Sequence, residues 1–140
     1  MLIDGGIARP NGITLSRDGK TLYVDDTEGE YVYAFDVRPD GSAIHKRVFV
    51  KLHDSERGTL GLRSRADGMA LDSGGRLYVA TGSGVQVIDP SGHHLGTIRV
   101  PEVPRNLAFG GPDRRILYMT AVRALYRVRL LSRGPVDRAK

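Results

Sequence analysis

The chain has 140 residues, of which 40% are hydrophobic and 26% charged, and it contains no cysteine. These values are ordinary for one globular domain and exclude disulfides, zinc–thiolate sites and a cysteine nucleophile. No apolar stretch approaches the roughly 18 residues that span a bilayer, and the N-terminus lacks a basic-then-apolar leader pattern. We therefore expect a cytoplasmic protein without a membrane partner.

The net charge of +5 is concentrated at the C-terminus. Residues 1–120 hold 15 of the 21 basic and 15 of the 16 acidic side chains, so residues 121–140 carry the whole excess. Its basic members are Arg123, Arg127, Arg129, Arg133, Arg138 and Lys140. A nucleic-acid surface needs basic residues spread across a face, preferably beside aromatic ones. We therefore expect a solvated charged end and no nucleic-acid partner.

The first unit of predicted strands lies between about residues 10 and 50. An apolar strand precedes the hairpin turn Asp18-Gly19, and a second strand follows it. Residues 31–37 are rich in aromatic and β-branched side chains, which favour strands. The turn Pro39-Asp40-Gly41 leads into a more charged outer strand at 46–50. The pattern predicts a four-stranded antiparallel sheet, preceded by residues 1–9 as the end of an earlier unit.

Two further units repeat this order after a polar segment, 51–65, which we expect to be a connecting loop. The second unit occupies about residues 66–101 and has four predicted strands. The third occupies about 105–130 and has three, without an outer strand. Gly134-Pro135 argues against regular structure in a polar tail at 132–140. The predicted domain therefore covers residues 1–131.

The three units are copies of one repeat. Each contains a Leu-Tyr pair on its second strand, with Tyr23, Tyr78 and Tyr118 separated by 55 and 40 residues. All-β units at roughly this spacing are typical of a β-propeller, which closes with about four to eight blades. Eleven predicted strands make about three blades. The pattern therefore predicts half of a closed ring, with an unpaired edge.

Polar residues stand at the same place in each repeat, just before the first strand. Asn11, Asp67 and Asn106 precede the repeat tyrosines by 12, 11 and 12 residues. Because the innermost strands of a propeller line its channel, these side chains should converge at the channel mouth. Carboxylate and carboxamide oxygens suit a hard cation such as calcium or magnesium. A bound metal polarises a carbonyl, and a carboxylate beside it handles a proton.

A structural interpretation of the same residues stays open, because Asn-Gly and Asp-Gly are common turn dipeptides. The hairpin turns are accounted for elsewhere, however, at Asp18-Gly19, Gly74-Gly75 and Asp113-Arg114. A second polar pair at the other end of each inner strand is not needed for the hairpin. The histidines are weaker candidates, since we expect His93 and His94 at the surface.

Several motifs taken in order resemble one family over about residues 5–130. They are Arg9-Pro10-Asn11-Gly12, Asp18-Gly19-Lys20-Thr21-Leu22-Tyr23-Val24, Asp67-Gly68-Met69, Gly75-Arg76-Leu77-Tyr78-Val79, Asp89-Pro90-Ser91-Gly92 and Asn106-Leu107-Ala108-Phe109-Gly110-Gly111-Pro112-Asp113. The chain resembles the C-terminal half of the senescence marker protein (regucalcin), gluconolactonase and luciferin-regenerating enzyme family. The resemblance implies a six-bladed propeller that hydrolyses sugar lactones.

The resemblance also implies a divalent cation, calcium first, with zinc, magnesium or manganese as alternatives. It assigns Asn11 and Asp67 as metal ligands and Asp67 as the catalytic acid/base. Asn106 is a weaker candidate that lines the channel or contacts substrate. Ala66 replaces the proline usual before the aspartate, and the glutamate ligand of the family's first blade has no counterpart.

The missing glutamate sets the remaining expectations. With two of three protein ligands, cation binding and activity should need a second copy or the missing half of the ring. The alternative function is a non-catalytic propeller fragment that serves as an interaction module or an inactive remnant.

Overall fold

The computed structural model describes residues 1–136, which form antiparallel sheets joined by turns and loops. The first sheet contains β1 (Pro10–Leu15), β2 (Thr21–Asp26), β3 (Tyr31–Val37) and β4 (Ala43–Lys51) in that order. A two-stranded hairpin follows, with β5 (Glu56–Gly58) and β6 (Gly61–Arg63). The second sheet contains β7 (Met69–Leu71), β8 (Leu77–Thr81), β9 (Gly84–Ile88) and β10 (His94–Ile98). The third contains β11 (Pro104–Gly110), β12 (Ile116–Ala121) and β13 (Leu125–Arg129).

Each large sheet is one propeller blade, built as a meander in which sequence neighbours pair. The inner strand of the second blade, β7, contacts both other inner strands, β1 and β11. This arrangement confirms the all-β propeller predicted from the repeats. It has three blades, and within residues 1–136 the third blade has three strands. Residues 1–136 include no helix long and apolar enough to cross a membrane.

The blades stack through two hydrophobic cores that share the second blade. Residues Leu77 and Val79 of β8 face the core against the first blade. Their neighbours Tyr78 and Ala80 face the core against the third blade. Side chains alternate across a strand, so β8 is buried on both faces and reads as a continuous apolar run.

Residues 51–65 do not form the simple polar loop that the sequence predicted. They contain the hairpin β5–β6, which raises the number of strands from eleven to thirteen. The hairpin is held by polar contacts, since Arg63 donates to the Glu56 carboxylate at 3.0 Å and to Glu28 at 3.3 Å. A hairpin without an apolar face has no hydrophobic alternation from which to predict it.

The segment after the last strand crosses back over the turns of the second and third blades. The Ser73 amide donates to the Arg133 carbonyl oxygen at 2.7 Å, and the Gly134 amide donates to the Arg114 carbonyl oxygen at 2.8 Å. The Ser132 and Tyr78 hydroxyls lie 2.8 Å apart. Residues 132–136 are therefore irregular, as predicted, but bound to the blades; residues 137–140 of the predicted tail lie outside the described part.

Candidate functional site

The start of the first blade is shaped by a break in strand pairing. The register between β1 and β2 shifts between Pro10 and Ile13, so the two intervening residues bulge out of the ladder. The Gly12 amide donates instead to Asp25 Oδ1 at 2.9 Å. The exposed Asn11 side chain donates from Nδ2 to Thr27 Oγ1 at 3.1 Å. The other end of that amide, its carbonyl oxygen, is the atom available to a cation.

Thr27 links the first blade to the start of the second. Its hydroxyl donates to the Ala66 carbonyl oxygen at 2.7 Å while it accepts from Asn11. The bulge itself also packs closely against the start of the second blade, because a Cβ at Gly12 would clash with the Asp67 carbonyl oxygen. The structure therefore brings Asn11 and Asp67 together from neighbouring blades. The Thr27 hydroxyl and Gly12 lie between them.

Asp67 presents a partly buried carboxylate from a well-held backbone. Its amide donates to the Ala80 carbonyl oxygen at 3.0 Å, which extends the pairing of β7 and β8. Arg105 Nη1 lies 3.8 Å from Asp67 Oδ2, and the two side chains are 41% and 26% exposed. An ion pair this long and this accessible to water is weak. The guanidinium nevertheless competes with any cation for the same oxygen.

Asn106 lies beside the same point but is oriented differently. A Cβ at Gly68 would clash with the Asn106 side chain, so the third blade touches the residue that follows Asp67. Asn106 Oδ1 accepts from the Leu107 amide at 2.9 Å. That oxygen therefore bonds to the backbone of its own strand, and a channel-lining role for Asn106 stays a prediction.

Asp25 belongs to this site, although sequence reasoning missed it. The side chain is fully buried, and Oδ2 has no hydrogen-bond partner in the described part of the chain. Burial raises the pKa of Asp25 to about 8; the hydrogen bond from Gly12 opposes this rise, and the Asp67 and Asp26 charges add to it. The sequence carried one signal for Asp25. The equivalent positions, two residues after Tyr78 and Tyr118, hold Ala80 and Thr120, so this carboxyl group departs from the repeat.

The donor set at the mouth fits a hard cation. Asn11 offers a carboxamide oxygen and Asp67 a carboxylate, the oxygen types that calcium and magnesium prefer. A buried carboxyl oxygen without a partner, Asp25 Oδ2, lies against the same bulge, since a Cβ at Gly12 would clash with it too. Among residues 1–136, no three His, Cys, Asp or Glu side chains cluster as a metal site. A cation here would therefore rely on amide as well as carboxylate oxygens.

The histidines lie in other parts of the blades. His93 is exposed beside Asp89, and His45 is exposed beside Asp36. His94 is less exposed than predicted, because its ring stacks on His53 with centroids 4.0 Å apart. Burial and the His53 charge lower the pKa of His94. None of these contacts involves Asn11, Asp67 or Asn106.

The propeller fold agrees with the comparison to known families. The chain belongs to the SMP-30/Gluconolactonase/LRE-like family, whose model matches residues 1–123. This is the family that the repeat motifs resembled, so the resemblance is confirmed.

Individual relatives include several lactonases. The chain is 35% identical over 122 residues to a pentonolactonase of Haloferax volcanii, covering 84% of this chain and 40% of the relative. It is 30% identical over 138 residues to the gluconolactonase of Zymomonas mobilis, covering 95% and 38%. A crystal structure of regucalcin from Agrobacterium tumefaciens, a calcium-binding protein, aligns with a TM-score of 0.77 at 25% identity, covering 95% and 50%. The chain thus spans half or less of each of these proteins.

Proposed function

We propose that this chain forms the C-terminal half of the active site of a metal-dependent sugar lactone hydrolase. The observation that carries the proposal is the junction of Asn11 and Asp67, joined through Thr27 and Gly12. The similarity to a pentonolactonase and a gluconolactonase supports a sugar lactone as substrate. A cytoplasmic location stays a prediction from the sequence.

In the proposed reaction Asp67 is the residue that moves the proton. Its carboxylate accepts a proton from a water molecule, whose oxygen bonds to the lactone carbonyl carbon. The ring C–O bond then breaks, and the proton returns to the leaving ring oxygen, which gives the open hydroxy acid. A divalent cation held by Asn11 and Asp67 supplies electrostatic polarisation of the lactone carbonyl when bound. The hydrogen bond to Thr27 holds the Asn11 side-chain amide in one rotamer, so that the Asn11 carbonyl oxygen is available to the cation in that orientation.

Calcium is the proposed cation, with zinc, magnesium and manganese as alternatives. The two ligand side chains offer oxygen atoms, and calcium takes about six to eight oxygens in flexible geometry. Regucalcin, to which the chain is similar, is a calcium-binding protein. Two side chains alone leave most of such a coordination sphere open, and the Arg105 guanidinium disfavours a cation at Asp67.

We therefore propose that the site is completed by a second copy or by the other half of the ring. The third blade ends in the edge strand β13, which pairs only with β12 among the described residues. Leu125 on that strand is 70% exposed. Three blades cover 50% of the regucalcin chain, so two such units match its length. Either source would add channel-mouth side chains opposite Asn11 and Asp67.

The test is hydrolysis of gluconolactone and a pentonolactone with calcium, with magnesium and with a chelator. Asp67→Asn should lower kcat at least about 100-fold, because the proton acceptor and the negative charge of one ligand are lost. Asp113→Asn, at an exposed hairpin turn, is the matched control and should leave the rate unchanged. Light scattering on the same sample should show whether activity belongs to a dimer.

Two outcomes oppose the proposal. Undiminished hydrolysis by Asp67→Asn would contradict the role of this carboxylate. A folded wild-type chain that binds no divalent cation and hydrolyses no lactone, as monomer or dimer, would favour the non-catalytic module instead.

A further inference from the structure

The repeats provide an internal comparison for one buried carboxyl group. Asp25 follows the repeat tyrosine of its blade by two residues, and the same position holds Ala80 in the second blade and Thr120 in the third. All three lie on the second strand of a blade. The second and third blades therefore build this strand without a carboxyl group at that position, and of the three blades the first alone carries one there.

The Asp25 side chain occupies the interior of the bulge that presents Asn11. Oδ1 accepts the Gly12 amide at 2.9 Å, where the shifted register leaves that amide without a strand partner. Oδ2 is buried and makes no hydrogen bond with residues 1–136. Gly12 is pressed between this oxygen and the Asp67 carbonyl oxygen, and no larger residue fits there. The Asp25 side chain thus contacts the Gly12 backbone, next to Asn11, at the point where the bulge meets the Asp67 backbone.

A carboxyl group in such a place is unfavourable for stability. Burying a polar group without full hydrogen bonding costs free energy, and the other two blades avoid it with alanine or threonine. Carboxyl groups in such unfavourable environments cluster at functional sites. Side chains that hold metal ligands from behind commonly change metal affinity by about 10–100-fold when removed.

We propose that Asp25 is the positioning residue of the cation site. It fixes the Asn11–Gly12 bulge against the Asp67 backbone, which sets the two ligand side chains at a common point. It does so by accepting the Gly12 amide and filling the space behind it, without touching the cation or the substrate. This inference rests on the proposed function, because it assigns a residue to the same cation site.

The test replaces Asp25 with the residues that the other blades carry. Asp25→Ala and Asp25→Thr are both compatible with the repeat, so the fold should accept them, and Asp25→Asn keeps an oxygen for the Gly12 amide. Asp72→Asn is the control, since Asp72 is equally buried but lies at the hairpin end of the second blade. Calcium is titrated into each protein by calorimetry, and the Gly12 amide is followed by NMR.

We expect Asp25→Ala to weaken calcium binding about 10–100-fold and to expose the Gly12 amide to solvent exchange. Asp25→Asn should stay within about threefold of wild type, and Asp72→Asn should not change affinity. Rescue by Asp25→Asn distinguishes positioning from a general loss of stability. A general loss would lower the calcium affinity of Asp25→Ala and Asp25→Asn in line with their melting temperatures.

Three results would overturn the inference. Equal affinity in wild type and Asp25→Ala contradicts positioning while leaving the cation site intact. Equal losses in Asp25→Ala and Asp72→Asn indicate a stability effect alone. No calcium binding by wild type, as monomer or as dimer, overturns the proposed cation site and this inference with it, so the two failures are told apart by the wild-type titration.

Discussion

Asp72 and Asp67, at the two ends of the same inner strand of the second blade, differ in how fully they are hydrogen-bonded. At the hairpin end, Asp72 accepts the Gly74 and Arg76 amides at 2.8 and 2.9 Å and pairs with the Arg76 guanidinium at 2.9 Å. At the channel mouth, within residues 1–136, Asp67 has only Arg105 at 3.8 Å, and Asp25 leaves one buried oxygen without a partner. Asp72 is saturated with hydrogen bonds, whereas the partly exposed Asp67 carboxylate stays open to a ligand.

The largest effect on stability should come from the saturated end. Asp72→Ala removes the acceptor of two backbone amides and of a guanidinium, and it should lower the free energy of unfolding by about 4 kcal/mol. Urea denaturation followed by circular dichroism measures this. Calcium affinity of the folded fraction should not change, and a selective loss of calcium binding with normal stability would contradict the comparison.

At the mouth, neutralising a carboxyl group should stabilise the fold, in a pH-dependent way. The pKa of Asp25 in the folded state is about 8, against 3.8 for an unperturbed aspartate. Between these values the unfolded chain releases the proton and the folded chain keeps it, so the wild type loses stability as pH rises from about 4 to 8. Asp25→Asn stays neutral and escapes this loss.

The expected gain for Asp25→Asn is on the order of 3 kcal/mol at pH 9 without metal, and it should vanish below about pH 4. This is less than about 1.4 kcal/mol per pKa unit would give, because the new amide nitrogen is itself buried. Urea unfolding of both proteins across pH 4–9 measures the difference. A difference independent of pH would mean that Asp25 ionises normally in the folded state.

The smallest effect concerns the weak ion pair at the mouth. Arg105→Ala removes a cation that competes for Asp67, and it should raise calcium affinity about twofold to threefold, as expected for a partly exposed pair. The gain should shrink at high ionic strength because salt screens the repulsion between guanidinium and calcium. Arg127→Ala, on the edge strand β13, is a suitable control of equal charge.

The apolar repeats made the blades predictable, because a buried strand such as β8 is a run of hydrophobic residues between turn signals. The repeated polar position predicted that Asn11 and Asp67 hold one cation together, which stays a prediction. The hairpin β5–β6 was missed because charge pairs rather than apolar residues hold it. Asp25 was missed because Asp25-Asp26 looks like the polar end of a strand, and only the packing of Gly12 and Asp67 reveals its burial.

The double burial of β8 has a consequence for cooperativity. In a stack of repeats, each unit is stabilised by the interfaces with its neighbours, and the middle blade has two of them. Unfolding the second blade therefore exposes both cores at once, whereas fraying of an outer blade exposes one. Amide protons of β8 should consequently exchange with solvent only through global unfolding, which makes this strand the natural reporter of the stability of the whole chain.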